Sequence, residues 1–324
     1  MKLATLNDGS RDGQLVVVSR DLCTAHYATG IADHLQQVLD DWNFMSPQLQ
    51  DLYDALNHGK ARHAFPFDPQ LCLAPLPRAH LLAVADAYAA AQAPESSELA
   101  ATLRLGFADE LAGPCAPLRA ASAALQLDVE AALAVVTGDV PAGASAEQAL
   151  EGVRLLMLAS HVQLRALQGA SDRPLVSSPS TAFSPVAVTP DELVYGGESA
   201  WAQGRLGLML QCTLNGRKLG LCDTGQDMAW HFGQLIAALC QTRRLRAGAI
   251  VSSGEVRNRD SVRGYCSLAS RRASELAQDG QAKTPWLAPG DSVRVEIKGR
   301  DGQSVFGAID QDVQVGAQPT PVAV

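Results

Sequence analysis

The stretch Leu127-Asp128-Val129-Glu130-Ala131-Ala132-Leu133-Ala134-Val135-Val136 carries two acids in an otherwise apolar run. Such a run predicts a β-strand, and side chains two apart on a strand share a face. Asp128 and Glu130 then point the same way, about 6–7 Å apart along the chain. Two like charges on one face of an apolar strand need a reason, and a hard cation is a common one. A solvated strand face is the plainer alternative. Ala132, next on that face, has no atom that could ligate.

The 324 residues are 47% hydrophobic and 19% charged, which is globular composition with ample core material for one large domain or one plus a smaller one. A net charge of −8 argues against a nucleic-acid surface. Arg243, Arg244 and Arg246 cluster at the end of a predicted helix, where cations offset the dipole. Met1–Gly9 shows no apolar signal core, and no apolar run approaches the ~18 residues a membrane span needs. The cysteines (Cys23, Cys72, Cys115, Cys212, Cys222, Cys240 and Cys266) are scattered and contain no C-x-x-C pair. They fit buried thiols in a reducing cytoplasm, the expected location.

Leu3 and Leu6, a turn rich in Asn7, Asp8, Gly9, Asp12 and Gly13, and then Leu15–Ser19 predict a hairpin. Ile31–Trp42 predicts a helix, and Ser46-Pro47 predicts the N-cap and first turn of another. Pro66, Pro69, Pro75 and Pro77 read as a linker, with a domain boundary near residue 78. Leu81–Gln92 looks helical, and Ser145 with Gln148 forms a capping box. Val153–Arg165 predicts a buried strand interrupted at Ser160-His161. Asn215-Gly216 marks a two-residue hairpin turn. Phe232, Leu235, Ile236 and Leu239 predict an amphipathic helix stopping at Gly248, and Val293, Val295 and Ile297 alternate as a strand before a turn at Gly299–Gly302.

Three blocks then stand in a familiar order. They are Ser180-Thr181-Ala182-Phe183-Ser184-Pro185 through Leu193, Trp230-His231-Phe232-Gly233-Gln234 through Ser252-Ser253-Gly254, and Lys283-Thr284-Pro285 through Gly307-Ala308-Ile309-Asp310-Gln311. Together they resemble the fumarylacetoacetate hydrolase family from residue 1 to about 315, least between 80 and 126. The resemblance implies an α+β, mostly β fold: a mixed β-sandwich roll with a small N-terminal β-rich domain at 1–78 and a pocket-bearing domain at 79–324. It also implies a homodimer and cleavage of a carbon–carbon bond in β-diketo acids, or decarboxylation and tautomerisation of related oxo acids. In that chemistry Mg²⁺ or Ca²⁺ held by carboxylates stabilises an enolate, a His–Glu pair activates water, and a lysine holds the oxyanion.

Residue by residue, the family's Asp-x-Glu-x-Glu pattern meets Asp128, Glu130 and Ala132, so one of two metal-binding glutamates is missing. The Asn-Asp pair meets Ser160-His161, leaving Glu130 and His161 as residual ligands with Asp128 nearby, and imidazole suits zinc or copper better than magnesium. Ser178 stands for the lysine and Glu255 for a substrate-binding threonine. Ser270 stands for the acid partner and Ala91, in Tyr88-Ala89-Ala90-Ala91, for the general-base histidine. Val84 falls at a further ligand aspartate, with Asp86 close by.

The expected catalytic positions Ala91, Ser178, Glu255 and Ser270 are thus all substituted. This implies a divergent, degenerate member that has lost the metal-dependent reaction and serves as a non-catalytic partner or ligand-binding protein. It would bind a small oxo acid or pair with an active paralogue, with no nucleic-acid or membrane partner and no cofactor unless the family's Mg²⁺ or Ca²⁺ site works. The alternatives are a hydrolase, decarboxylase or tautomerase with a rearranged site built on Glu130, His161, Asp128 and Glu255, or an ordinary family hydrolase.

Overall fold

The computed structural model describes residues 1–88, 103–168 and 174–316. The chain opens with β1 (Lys2–Leu6), β2 (Gln14–Val18) and β3 (Thr24–Tyr27), followed by α1 (Leu35–Asp40) and α2 (Trp42–Asn57). Short strands come next: β4 (Phe65–Pro66), β5 (Leu81–Ala85), β6 (Leu103–Gly106), β7 (Leu111–Ala112) and β8 (Leu118–Ala120). Two long strands, β9 (Leu127–Thr137) and β10 (Val153–Leu164), are connected through α3 (Ala146–Glu151). Then follow α4 (Pro174–Ser177), β11 (Thr181–Phe183) and β12 (Ala187–Val188). Two small hairpins come after them, β13 (Val194–Tyr195) with β14 (Glu198–Ser199) and β15 (Trp201–Ala202) with β16 (Arg205–Leu206). The last third holds β17 (Met209–Leu214), β18 (Arg217–Asp223), α5 (Phe232–Leu239), β19 (Ala249–Glu255), α6 (Leu268–Asp279), β20 (Ser292–Lys298) and β21 (Ser304–Val315).

Among the described residues one large mixed sheet runs β4-β3-β2-β1-β12-β10-β9-β19-β5-β6, with β11 and β7 continuing from β10. A second sheet runs β18-β17-β20-β21-β8. The strands of residues 1–78 therefore join the same sheet as the pocket, through the β1–β12 pairing. The two faces of β9 and β10 divide the core. Leu133, Val135, Leu156 and Leu158 pack toward Leu210, Val295 and Phe306 of the second sheet. Ala132, Ala134, Leu155 and Met157 pack toward Leu35, Val38, Leu49 and Tyr53 of α1 and α2. Each large side chain so buried contributes about 1.5–3 kcal/mol. Apolar burial on both faces thus places β9, with its two acids at the end away from Val135 and Val136. The mostly β, α+β architecture is the expected one.

Several local expectations hold. Ser145 Oγ accepts from Gln148 N at 3.3 Å while Gln148 Oε1 accepts from Ser145 N at 3.0 Å, closing the capping box. Leu214 pairs with Arg217 across Asn215-Gly216, both at positive φ, as a tight hairpin requires. Others are corrected. Leu81–Ala85 is a parallel strand beside β19, not a helix. A five-residue apolar run buried on both faces carries no period that separates the two forms. Residues 89–92 of the expected helix lie outside the described residues. Strand β10 runs unbroken through Ser160-His161, because both side chains find room within the sheet layers.

Pro47 sits inside α2, which starts at Trp42, rather than at a helix start. The proline-rich segment is not a free linker. Phe65–Pro66 pairs with β3, Leu73 N donates to Thr5 O, and Cys72, Ala74 and Leu76 are buried. Helix α5 ends at Leu239, and the Arg243–Arg246 cluster follows it in a turn fixed by the buried Leu245 pairing with Val140. Gly248, at φ +93°, leads into β19 instead of ending α5.

Candidate functional site

Strand β9 points Asp128 and Glu130 to the same side, and β10 runs antiparallel beside it with Gln163 opposite Asp128 and His161 opposite Glu130. Two residues past Gln163, in the 3₁₀ turn that ends β10, stands Arg165. Its guanidinium spans both acids. Nε and Nη2 donate to Asp128 Oδ2 at 2.9 and 2.8 Å, and Nη1 lies 3.0 Å from Glu130 Oε1. Burial alone would penalise the Arg165 charge, but the carboxylates of Asp128 and Glu130 outweigh it and hold its pKa above the ordinary value.

Asp128 is fully buried and saturated. Besides Arg165 it accepts from Val129 N at 2.8 Å, Leu268 N at 2.8 Å and Ala269 N at 3.0 Å. The last two are free amides in the first turn of α6, where an acid also meets the favourable end of the helix dipole. Asp128 is therefore the clasp joining β9, Arg165 and α6. Glu130 is half-committed in the same way: Arg165 on one oxygen, and on the other Gln163 Nε2 at 3.2 Å and Arg104 Nη2 at 3.6 Å.

The fourth wall is β19. Its register against β9 shifts between Ser252 and Glu255, so that Glu255 comes to lie opposite Ala132. The shift depends on Gly254, at φ +69°, where a Cβ would strike the Ala85 carbonyl. The neighbouring strand thus places a carboxylate beside Ala132. Glu255 is 9% exposed, and its Oε2 accepts from Ser270 Oγ at 2.9 Å. Burial first, and then the nearby Glu130 charge, push its pKa up to about 7. The resemblance places a hydroxyl at 255 and an acid at 270. The chain has the two exchanged, and they are hydrogen-bonded to each other.

These groups open onto a pocket of about 540 Å³, whose charged lining is Asp86, Arg104, Glu130, Arg165, Glu255 and Arg257. Asp86 pairs with Arg257. Ser178 belongs to the same chain of contacts, 3.4 Å from Gln163 Nε2, and Gln163 Oε1 accepts in turn from Gln168. The structure thus brings together Asp128, Glu130, Ser178, Glu255 and Ser270. Ala91 lies outside the described residues. Val84 is core, and Tyr88 donates to Thr224 O at 2.7 Å.

His161 does not join them as a ligand. It is 1% exposed, with Nδ1 2.9 Å from Thr181 Oγ1 and Nε2 2.8 Å from Ser252 Oγ, so both nitrogens are engaged. Burial, aided by Arg104, drives its pKa down to about 3, which keeps the ring neutral. Among the described residues no group of three or more His, Cys, Asp or Glu is gathered as a metal cage. Mg²⁺ and Ca²⁺ require about six or more oxygens. One carboxylate shared by two guanidiniums, a saturated Asp128 and an engaged His161 do not fit either ion. Sequence reasoning missed Arg165, Arg104 and Arg257. For Arg165 a signal existed: a buried acid pair demands a cation, and Arg165 ends the strand that pairs with it.

Comparison with known proteins matches residues 1–78 to the family model described as fumarylacetoacetase N-terminal domain 2. Residues 76–314 match fumarylacetoacetate (FAA) hydrolase C-terminal. No curated protein sequence matches. Among solved structures, fumarylacetoacetate hydrolase from psychrophilic Exiguobacterium antarcticum is 20% identical with a TM-score of 0.66. Maleylpyruvate hydrolase from Sphingobium sp. SYK-6, in complex with manganese(II) and pyruvate, is 17% identical with a TM-score of 0.65. A probable 2-hydroxyhepta-2,4-diene-1,7-dioate isomerase from Mycobacterium abscessus is 17% identical with a TM-score of 0.68. Each alignment covers 98% of this chain and 100% of the other. At these identities the likeness establishes the fold.

Proposed function

Since this chain belongs to the fumarylacetoacetate hydrolase family, we propose that it keeps the family's pocket but has given up metal-dependent carbon–carbon hydrolysis, and acts as a ligand-binding or partner protein. In this reading residues 1–78 are a small N-terminal domain and residues 79–324 hold the pocket. The chain pairs with itself, or with an active paralogue, in the cytoplasm. One observation carries the reading: the Arg165 guanidinium lies across Asp128 and Glu130, where a cation-binding pair was expected. A charge fixed in that position repels a divalent ion and ties up the oxygens it would need. The relative solved with manganese and pyruvate makes a small oxo acid the natural first ligand to try.

The test is acylpyruvate cleavage in the presence of Mg²⁺ or Mn²⁺, together with metal content after purification. The reading expects no turnover and substoichiometric metal. Metal-dependent cleavage at ordinary enzyme rates, on the order of 1–1000 s⁻¹, would overturn it. A second reading, an enzyme with a rearranged site, is favoured by Glu255 alone. This carboxyl, with a pKa near neutrality beside a pocket, has the properties of a proton-transfer group for oxo-acid tautomerisation. It predicts metal-independent exchange of substrate C3 protons with solvent that is lost in Glu255→Gln.

A further inference from the structure

Charge is unevenly satisfied around the pocket. Three acids and three arginines line it, and Asp128, buried behind Arg165, is a fourth carboxylate drawing on the same guanidiniums. Glu130 is matched by Arg165 and Arg104, and Asp86 is matched by Arg257. Glu255 forms no ion pair with any described residue. One of its oxygens takes the Ser270 hydroxyl, with the Ser267 hydroxyl close by, and the other, Oε1, is buried with no hydrogen-bond partner among the described residues. The residue is nonetheless nine-tenths buried. On the opposite side of this imbalance, Arg257 Nε is a buried donor without a partner among the described residues. An unpartnered buried acceptor and an unpartnered buried donor are each costly, and a bound group that satisfies both removes the cost.

We propose that the pocket binds a small amino acid as its zwitterion, with the ammonium on Glu255 and the carboxylate on the guanidinium of Arg257. The choice of a zwitterion follows from the charges. An oxo dianion adds two negative charges to a site where acids already outnumber arginines once Asp128 is counted, and whose residues do not fit Mg²⁺ or Ca²⁺. A zwitterion adds none, and it places its cation beside an acid that forms no ion pair with any described residue. An ammonium is also preferred over a divalent ion here, because it needs only two or three acceptors where Mg²⁺ needs about six. The inference rests on the ligand-binding reading above and names the ligand class for that same pocket.

The experiment is calorimetric titration of the full chain, in EDTA, with matched pairs that differ only in the amine: alanine and pyruvate, aspartate and oxaloacetate, glutamate and 2-oxoglutarate. At least one amino acid should bind about tenfold or more tighter than its oxo acid. Glu255→Gln should erase that preference, and Ser270→Ala, which keeps the charge, should preserve it. The proposal is overturned if the oxo acid binds as tightly, if Glu255→Gln retains the preference, or if no amino acid binds up to about 10 mM. Mn²⁺ titrated without EDTA is the remaining arm: Mn²⁺ binding abolished by Glu255→Gln would overturn the proposal in favour of a relocated cation site. Acylpyruvate cleavage by the same protein would sink the non-catalytic reading without altering the amino-acid preference, so the two failures are distinguishable.

Discussion

On the β9 side of the pocket, Asp128 accepts five hydrogen bonds and Glu130 meets two guanidiniums, whereas on the β19 side Glu255 keeps one buried oxygen without a partner. Both walls are acids carried on strands of one sheet. The difference lies in what surrounds them. A saturated buried acid holds the fold together and has nothing left to offer a ligand. An unsaturated one costs stability and is available to bind. Satisfaction of hydrogen-bonding capacity, rather than the mere presence of carboxylates, separates the structural half of this pocket from the half that can act.

The sharpest way to break that contrast is Asp128→Ala. It removes the acceptor of both α6 amides and leaves Arg165 buried and half-paired. A loss of about 3–5 kcal/mol in urea unfolding is expected, the range for a buried pair deprived of one partner. Adding Arg165→Met should recover part of it, since the uncompensated charge then disappears as well. A loss below about 1 kcal/mol would show that the clasp is not structural.

How far the sequence foresaw this division follows from what each feature depends on. Periodicity and turn chemistry are local, so β9, the Asn215-Gly216 hairpin and the Ser145 cap were legible. The clasp was legible only in part: the acid pair called for a cation, but Arg165 reaches Asp128 through the β9–β10 register, which no spacing within one strand reveals. The placement of Glu255 opposite Ala132 depends on a one-residue irregularity at Gly254, and its hydrogen bond to Ser270 on how α6 docks. Leu81–Ala85 was misread because its helix-like composition was overridden by pairing with β19.

Glu255 gives the next effect, and its sign is opposite to that of an ordinary paired acid. Its pKa rises on folding from 4.5 to about 7, so between those values the folded state holds the proton more tightly than the unfolded chain does. Stability contributed by the protonated form is present below about pH 4.5 and is lost as pH climbs through 7. The shift corresponds to about 3 kcal/mol. His161 runs the other way: with its pKa lowered from 6.5 to about 3, its neutral form stabilises above pH 6.5 and that contribution fades in acid. The two trends overlap, so the measurement is a difference. Unfolding free energies of wild type and Glu255→Gln between pH 4.5 and 8 cancel His161, and the variant should gain on wild type steadily as pH rises. Parallel curves would mean that Glu255 is as well satisfied as Asp128, and the contrast between the two walls would fall.

The smallest effect sharpens the boundary between them. Arg104 touches Glu130 at 3.6 Å but is 40% exposed, while Arg165, at 14%, holds the same acid from inside. Exposed pairs lose their Coulomb gain to solvent and side-chain entropy, so Arg104→Ala should change stability by less than about 1 kcal/mol. Whatever change there is should vanish in about 1 M salt, where the screening length falls to roughly 3 Å. Arg165 remains to neutralise Glu130, so no charge is stranded. A loss comparable to that of Asp128→Ala, persisting in high salt, would extend the structural clasp out to the pocket rim. It would also move Arg104 from the wall that meets ligands to the wall that holds the strands together.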